Sequence, residues 1–240
     1  MICKSLRAKW AALASGALTI AAISVMAAVG SGYSLFGNAT LVSPGHNSNR
    51  AVQLVSDGNA GPAIFSGIDF GLSPSLTINN LNDLGTEYNF TAASCGVGSP
   101  RFGITLAGVS GTIFVYIGPP PNYTGCAAGW TNSGELLTPA RLVDTSQLPG
   151  GTFYDPWAAA QARYTGKQVT DIFLVSDYGP NGTQTVLIDN TSINGNTVTY
   201  EPDNKDDCKN GGWQNFTFAP GPFSNQGQCV SHFASNGHSN

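Results

Sequence analysis

Apolar and polar positions alternate over short stretches along most of this chain, the period-two signature of half-buried strands. The pattern is clearest at 101–106, where Phe102, Ile104 and Leu106 fall on one side and Gly103 and Thr105 on the other. At 112–117, Ile113, Val115 and Ile117 oppose Phe114 and Tyr116, so one strand face is aliphatic and the other aromatic. Similar signals predict strands at 38–43, 50–56, 63–70, 75–79, 169–176, 184–189 and 196–201. Turns such as Asp57-Gly58-Asn59, Asn181-Gly182 and Asn194-Gly195-Asn196 separate several of them. About nine to eleven short strands with hairpin punctuation predict a β-sandwich.

One segment breaks the alternation. Residues 157–164 have helical composition, Asp155 stands where a cap would, and Pro156 suits the first helical position. Trp157, Gln161 and Tyr164 share a face at i, i+4 and i+7. This predicts one short helix closing an end of the sandwich, with Trp157 and Tyr164 in the core.

The N-terminus follows other rules. Lys4, Arg7 and Lys9 precede an uncharged, Ala/Leu/Ile/Val-rich run ending near Gly32. Residues 1–32 therefore read as a signal peptide or signal-anchor. Either form places the rest outside the cell, and the chain meets a membrane only if the signal stays uncleaved. The expected localisation is secreted, extracellular.

Composition narrows the function classes. Only 10 % of the residues are charged, while Gly 30 and Pro 14 favour turns over long solvent-facing helices. Net charge is −4; losing Lys4, Arg7 and Lys9 leaves seven basic residues against fourteen acids, near −7. That balance argues against a nucleic-acid partner. Cys3 belongs to the signal, and Cys95, Cys126, Cys208 and Cys229 form an even set, as in exported proteins. Of the three possible connectivities the local one, Cys95–Cys126 with Cys208–Cys229, is expected. No C-x₂-C pair exists, and His46, His232 and His238 lack zinc-ligand spacing, so no metal site is expected.

No nucleophile motif, H-E-x-x-H or P-loop is present. Glycosidases need two carboxylates facing one bond, and only Glu87, Glu135 and Glu201 are glutamates. The expected role is therefore non-catalytic binding. A pyranose presents a C–H face that stacks on flat aromatics, and the ligand-binding candidates are Tyr116, Tyr123, Trp130 and Tyr178. Trp130 follows Cys126 in a loop that a disulfide would stiffen.

The order of elements carries a resemblance. "GNATLVSPGHNSNRAVQLVSD", the pair "SPRFGITL" and "GTIFVYIG", a Trp-bearing helix, and "VTDIFLVSDYG" with "TVLIDNTSINGNTVTYEP" are similar to jelly-roll domains of secreted bacterial proteins. It covers roughly 38–202 and implies a jelly-roll β-sandwich like that of carbohydrate-binding modules. Polysaccharide or the cell envelope would then be the partner. A structural or self-assembling surface protein is the alternative, and a glycoside hydrolase the third reading. No cofactor is implied beyond a structural Ca²⁺ by fold analogy, with Asp57, Asp69 and Asp189 as ligands by that analogy alone.

The organisation expected is a sandwich at 33–202, a polar linker at 203–207, a Cys-bracketed segment at 208–233 and a disordered tail at 234–240. "CKNGGWQNFTFAPGPFSNQGQCVSHF" resembles a short segment at the C-termini of exported bacterial proteins, to which no activity attaches. It reads as a stapled hairpin. Trp213, Phe216, Phe218, Phe223 and Phe233 give it more aromatic surface than it can bury alone, so it is expected to dock.

Overall fold

The computed structural model describes residues 32–236 except 59–64, 73–74 and 180–181. The expected signal segment thus lies outside the described residues but for Gly32, as do 237–240. The strands are β1 (Tyr33–Gly37), β2 (Ala39–Val42), β3 (Ala51–Asp57), β4 (Ser66–Phe70), β5 (Leu84–Ala92), β6 (Arg101–Leu106) and β7 (Val109–Tyr116). After them come β8 (Thr131–Asn132), β9 (Leu142–Val143), β10 (Asp155–Pro156), β11 (Val169–Ser176), β12 (Thr183–Ile193) and β13 (Asn196–Val198). Helix α1 is Trp157–Arg163 and helix α2 is Gln226–Asn236.

Two antiparallel sheets form a jelly-roll β-sandwich. One has the order β1-β4-β11-β6-β7; the other runs β2-β3-β12-β5-β8, with β13 paired to β12. β1 and β2 are nearly one strand, broken at Gly37 (φ +62°) where the chain passes between sheets. The alternation has its physical cause in the core: Phe102, Ile104, Ile113, Val115, Ile172 and Leu174 point inward and are sealed from solvent. They meet Val52, Leu54, Val186 and Ile188 of the facing sheet.

A polar cross-tie joins the layers. The Gln184 Oε1 of β12 accepts from Ser99 Oγ and Ser176 Oγ, both at 2.8 Å, while its Nε2 donates to Ser94 O. Every member at the centre is buried and bonded, which fixes the relative position of the sheets.

Both disulfides form as expected, with Cα–Cα separations of 5.6 Å for Cys95–Cys126 and 5.7 Å for Cys208–Cys229. α1 buries Trp157 and Tyr164 in the core. Asp155 does not cap it: its carboxylate accepts from Thr145 Oγ1 at 2.6 Å and pairs with Arg163. Residues 75–79 are no strand, because Thr77 makes a single bridge to Gln168 before a 3₁₀ turn at Ile78–Asn80.

The C-terminal segment departs from the hairpin expectation. It is helical, with 3₁₀ turns at Lys205–Cys208 and Gly212–Asn215 followed by α2. Phe216, Phe223, Cys208 and Cys229 form a small core of their own, with Trp213, Val230 and Phe233 packed against it. The disulfide replaces the apolar mass such a unit lacks. Residues 234–236, expected in a disordered tail, belong instead to α2.

Residues 203–207 are folded, not a loose linker. Asn204 caps the first 3₁₀ turn through a capping box with Asp207, and Asp207 pairs with Arg50 of the sandwich. The fully buried Asn49 completes the junction. Its Nδ2 donates to Glu201 Oε2 (2.6 Å) and Ala219 O (2.9 Å), and its Oδ1 accepts from Phe218 N–H (2.8 Å). Docking is therefore real, and these contacts are polar.

Candidate functional site

The β2–β3 loop carries Gly45 to Arg50 across the outer face of the second sheet, where the acids of β5 and β12 await it. Glu87 and Asp189 are register partners, so their side chains share that face. Asp189 Oδ2 accepts from His46 N–H (2.8 Å) and Ser48 Oγ (2.5 Å), and its Oδ1 from Asn190 N–H (2.8 Å). Burial raises the Asp189 carboxyl above its ordinary pKa, opposed by those three hydrogen bonds. Asn190 adopts φ +45° at an irregularity in β12, and its Nδ2 donates to Glu87 Oε2 at 2.7 Å.

Glu87 then fixes the imidazole. His46 Nδ1 lies 2.8 Å from Glu87 Oε2. The imidazole stacks on Trp130, with centroids 5.1 Å apart and planes only 8° from parallel. β8 begins at the next residue and pairs Asn132 with Glu87, which brings that amide onto the same face. Trp130 itself remains half-exposed. The result is a preorganised aromatic platform bordered by Glu87, Asn132 and Asn190. It can stack an apolar face and hydrogen-bond hydroxyl groups beside it.

The other three aromatic candidates are elsewhere. Tyr116 and Tyr123 are 6 % and 3 % exposed and pack on each other with centroids 4.1 Å apart. Neither offers a ring face to a ligand, so both are removed as stacking residues. Part of the 117–156 segment covers that end of the first sheet: Phe153 packs on both rings, and Tyr116 Oη donates to Asp144 Oδ2 at 3.0 Å. Burial and the Asp144 charge push the Tyr116 phenol far up, and burial with Tyr154 pushes Tyr123 up to about 12. Tyr178 is half-buried, its Cε2 3.5 Å from the space beside Gly96.

Asp57, Asp69 and Asp189 do not converge on an ion. Asp57 pairs with Thr183 at the start of β12, several residues from Asp189, and Asp69 lies in the other sheet. Among the described residues no group of three or more His, Cys, Asp or Glu side chains could hold a metal.

One carboxyl pair stands apart. Glu135 is pushed up to about 7 by burial and by its hydrogen bond with Asp83. Burial alone would raise Asp83 too, but bonds from Glu135, Ser192 and Gly195 bring it below its usual value. Because the two carboxyls bond each other, they leave no room for a glycosidic bond between them.

Reading the sequence singles out Trp130 but not His46, Glu87 or Asp189 as its support. Leu84, Thr86, Tyr88 and Phe90 alternate along β5 and set Glu87 on the opposite side, but the polar Thr86 hides this pattern from an apolar-alternation reading. No protein-family model matches the chain, and no curated protein matches it.

Proposed function

We propose that this protein is a non-catalytic binding domain acting outside the cell, with carbohydrate as its ligand, in keeping with its resemblance to carbohydrate-binding jelly rolls. The observation that carries the reading is the Trp130–His46 stack: an indole held parallel to an imidazole that Glu87 pins in turn. A ring fixed before binding loses little freedom when a sugar stacks on it. The flanking amides and carboxylate suit hydroxyl groups. A single stacking platform gives modest affinity, millimolar to micromolar.

One further fact supports an extracellular setting: both cysteine pairs are disulfide-bonded. Depletion assays on cellulose, chitin, xylan, β-glucan and peptidoglycan test the proposal. Retention on at least one, lost on Trp130→Ala with the melting curve unchanged, supports it. No retention on any polymer would return first place to a structural surface protein.

A further inference from the structure

The outer face of the first sheet is built differently from the Trp130 face. Phe36 of β1 and Phe173 of β11 lie across their neighbouring strands at positions occupied by glycine. A Cβ on Gly103 would overlap Cζ of Phe173, with both Cε atoms equidistant at 2.6 Å. Equal Cε distances of that size place the ring flat over the glycine, not end-on. A Cβ on Gly67 would likewise overlap Phe36. Phe65 continues the row, 6.1 Å from Phe36 and 44 % exposed, and Phe173 lies 6.5 Å from Phe36 on its other side, the Phe36 ring standing edge-on to Phe173 with the planes 75° apart.

Charge on this face is lopsided. At one end Arg101 sits 4.5 Å over the Phe114 ring and is neutralised by two 2.5 Å bonds to Asp177. At the other end Asp69 stands directly opposite Phe173, with Asp171 two residues before it on the same face of β11. Among the described residues neither carboxylate has an ion pair. Burial and the neighbouring charge of Asp171 raise the Asp69 carboxyl above its ordinary value. The flat Phe173 ring beside unneutralised acids lacks a cation that also has an apolar face.

We propose that this face binds a second ligand, an aminopolysaccharide that lays a C–H face on Phe173, meets the edge of Phe36 beside it, and pairs its protonated amines with Asp69 and Asp171. A ring lying flat, as Phe173 does over Gly103, matches a pyranose face and gives a lysine side chain no pocket to fill. Amines held over phenyl rings gain cation–π attraction as well. The site does not depend on the Trp130 platform.

The test compares retention of the purified protein on chitosan and on chitin, in mildly acidic buffer where the chitosan amines are protonated. Retention on chitosan should exceed that on chitin at least tenfold. The Asp69→Asn/Asp171→Asn and Phe173→Ala variants should each fall to the chitin level. Asp203→Asn/Asp206→Asn removes the same charge from the exposed C-terminal junction and should bind like the parent, as should Trp130→Ala. Equal retention on the two polymers would overturn the proposal. So would equal losses in the two double-Asn variants, which would mean bulk charge attraction, or retention on immobilised polylysine but not on chitosan.

Discussion

Gly103 has no side chain because the Phe173 ring occupies the space where one would stand. Gly103→Val should therefore displace that ring and cost about 1–3 kcal/mol in denaturant unfolding, as overpacking does elsewhere. An unchanged midpoint would mean the ring is free to move. Glu135 makes a sharper prediction at the same scale. Its folded pKa, about 7, lies above the unfolded 4.5, so the folded state holds the proton more tightly. The stability it contributes is fully present below pH 4.5 and is lost as pH rises toward 7. Asp83 is shifted the other way, and its contribution is lost only as pH falls below its ordinary value. The stability of the parent relative to Glu135→Gln should thus decline from pH 4.5 to about 7. Parallel melting-temperature curves for the two proteins would contradict the shared-proton pair.

At the level of elements, the C-terminal unit should prove semi-independent, because its core is its own and its attachment is polar. Asn49→Ala leaves the Glu201 carboxylate and two backbone groups short of partners at a buried position. A loss of about 3 kcal/mol is expected, with faster amide exchange across 216–220. Normal protection there would show that the junction is held by other contacts. Deleting 203–240 should lower the melting temperature without creating dye-binding apolar surface. The aromatics of this segment suggested a docking surface, yet the disulfide and α2 let Phe216 and Phe223 bury each other. Spacing of cysteines cannot disclose that. The strands were legible where aliphatic residues alternate, as in β6, β7 and β11. β5 was not, because Thr86 takes an inward position through bonds to Thr191 and the Asp189 carbonyl. Missing β5 meant missing where Glu87 would stand, and hence why His46 and Trp130 meet.

For the molecule as a whole, the β-sandwich followed from the strand pattern and the disulfide pairing from cysteine spacing, since both depend on local pattern, while the jelly roll was implied only by resemblance. The platform could not, because it joins residues 46, 87, 130 and 189, which only the closed sandwich brings together. Its rigidity is also a property of the whole: two sheets tied through Gln184, a loop laid over one of them, and an indole at the edge. A Trp130→Ala change should then leave folding nearly untouched, because the ring is half-exposed and outside the main core. The most direct test is a binding isotherm for the parent and Trp130→Ala on the polysaccharide that retains the parent best. Loss of one stacked ring should weaken binding about tenfold or more, corresponding to roughly 1.4 kcal/mol or more, while the melting temperatures coincide. Superimposable isotherms would show that the Trp130–His46 platform does not hold the ligand.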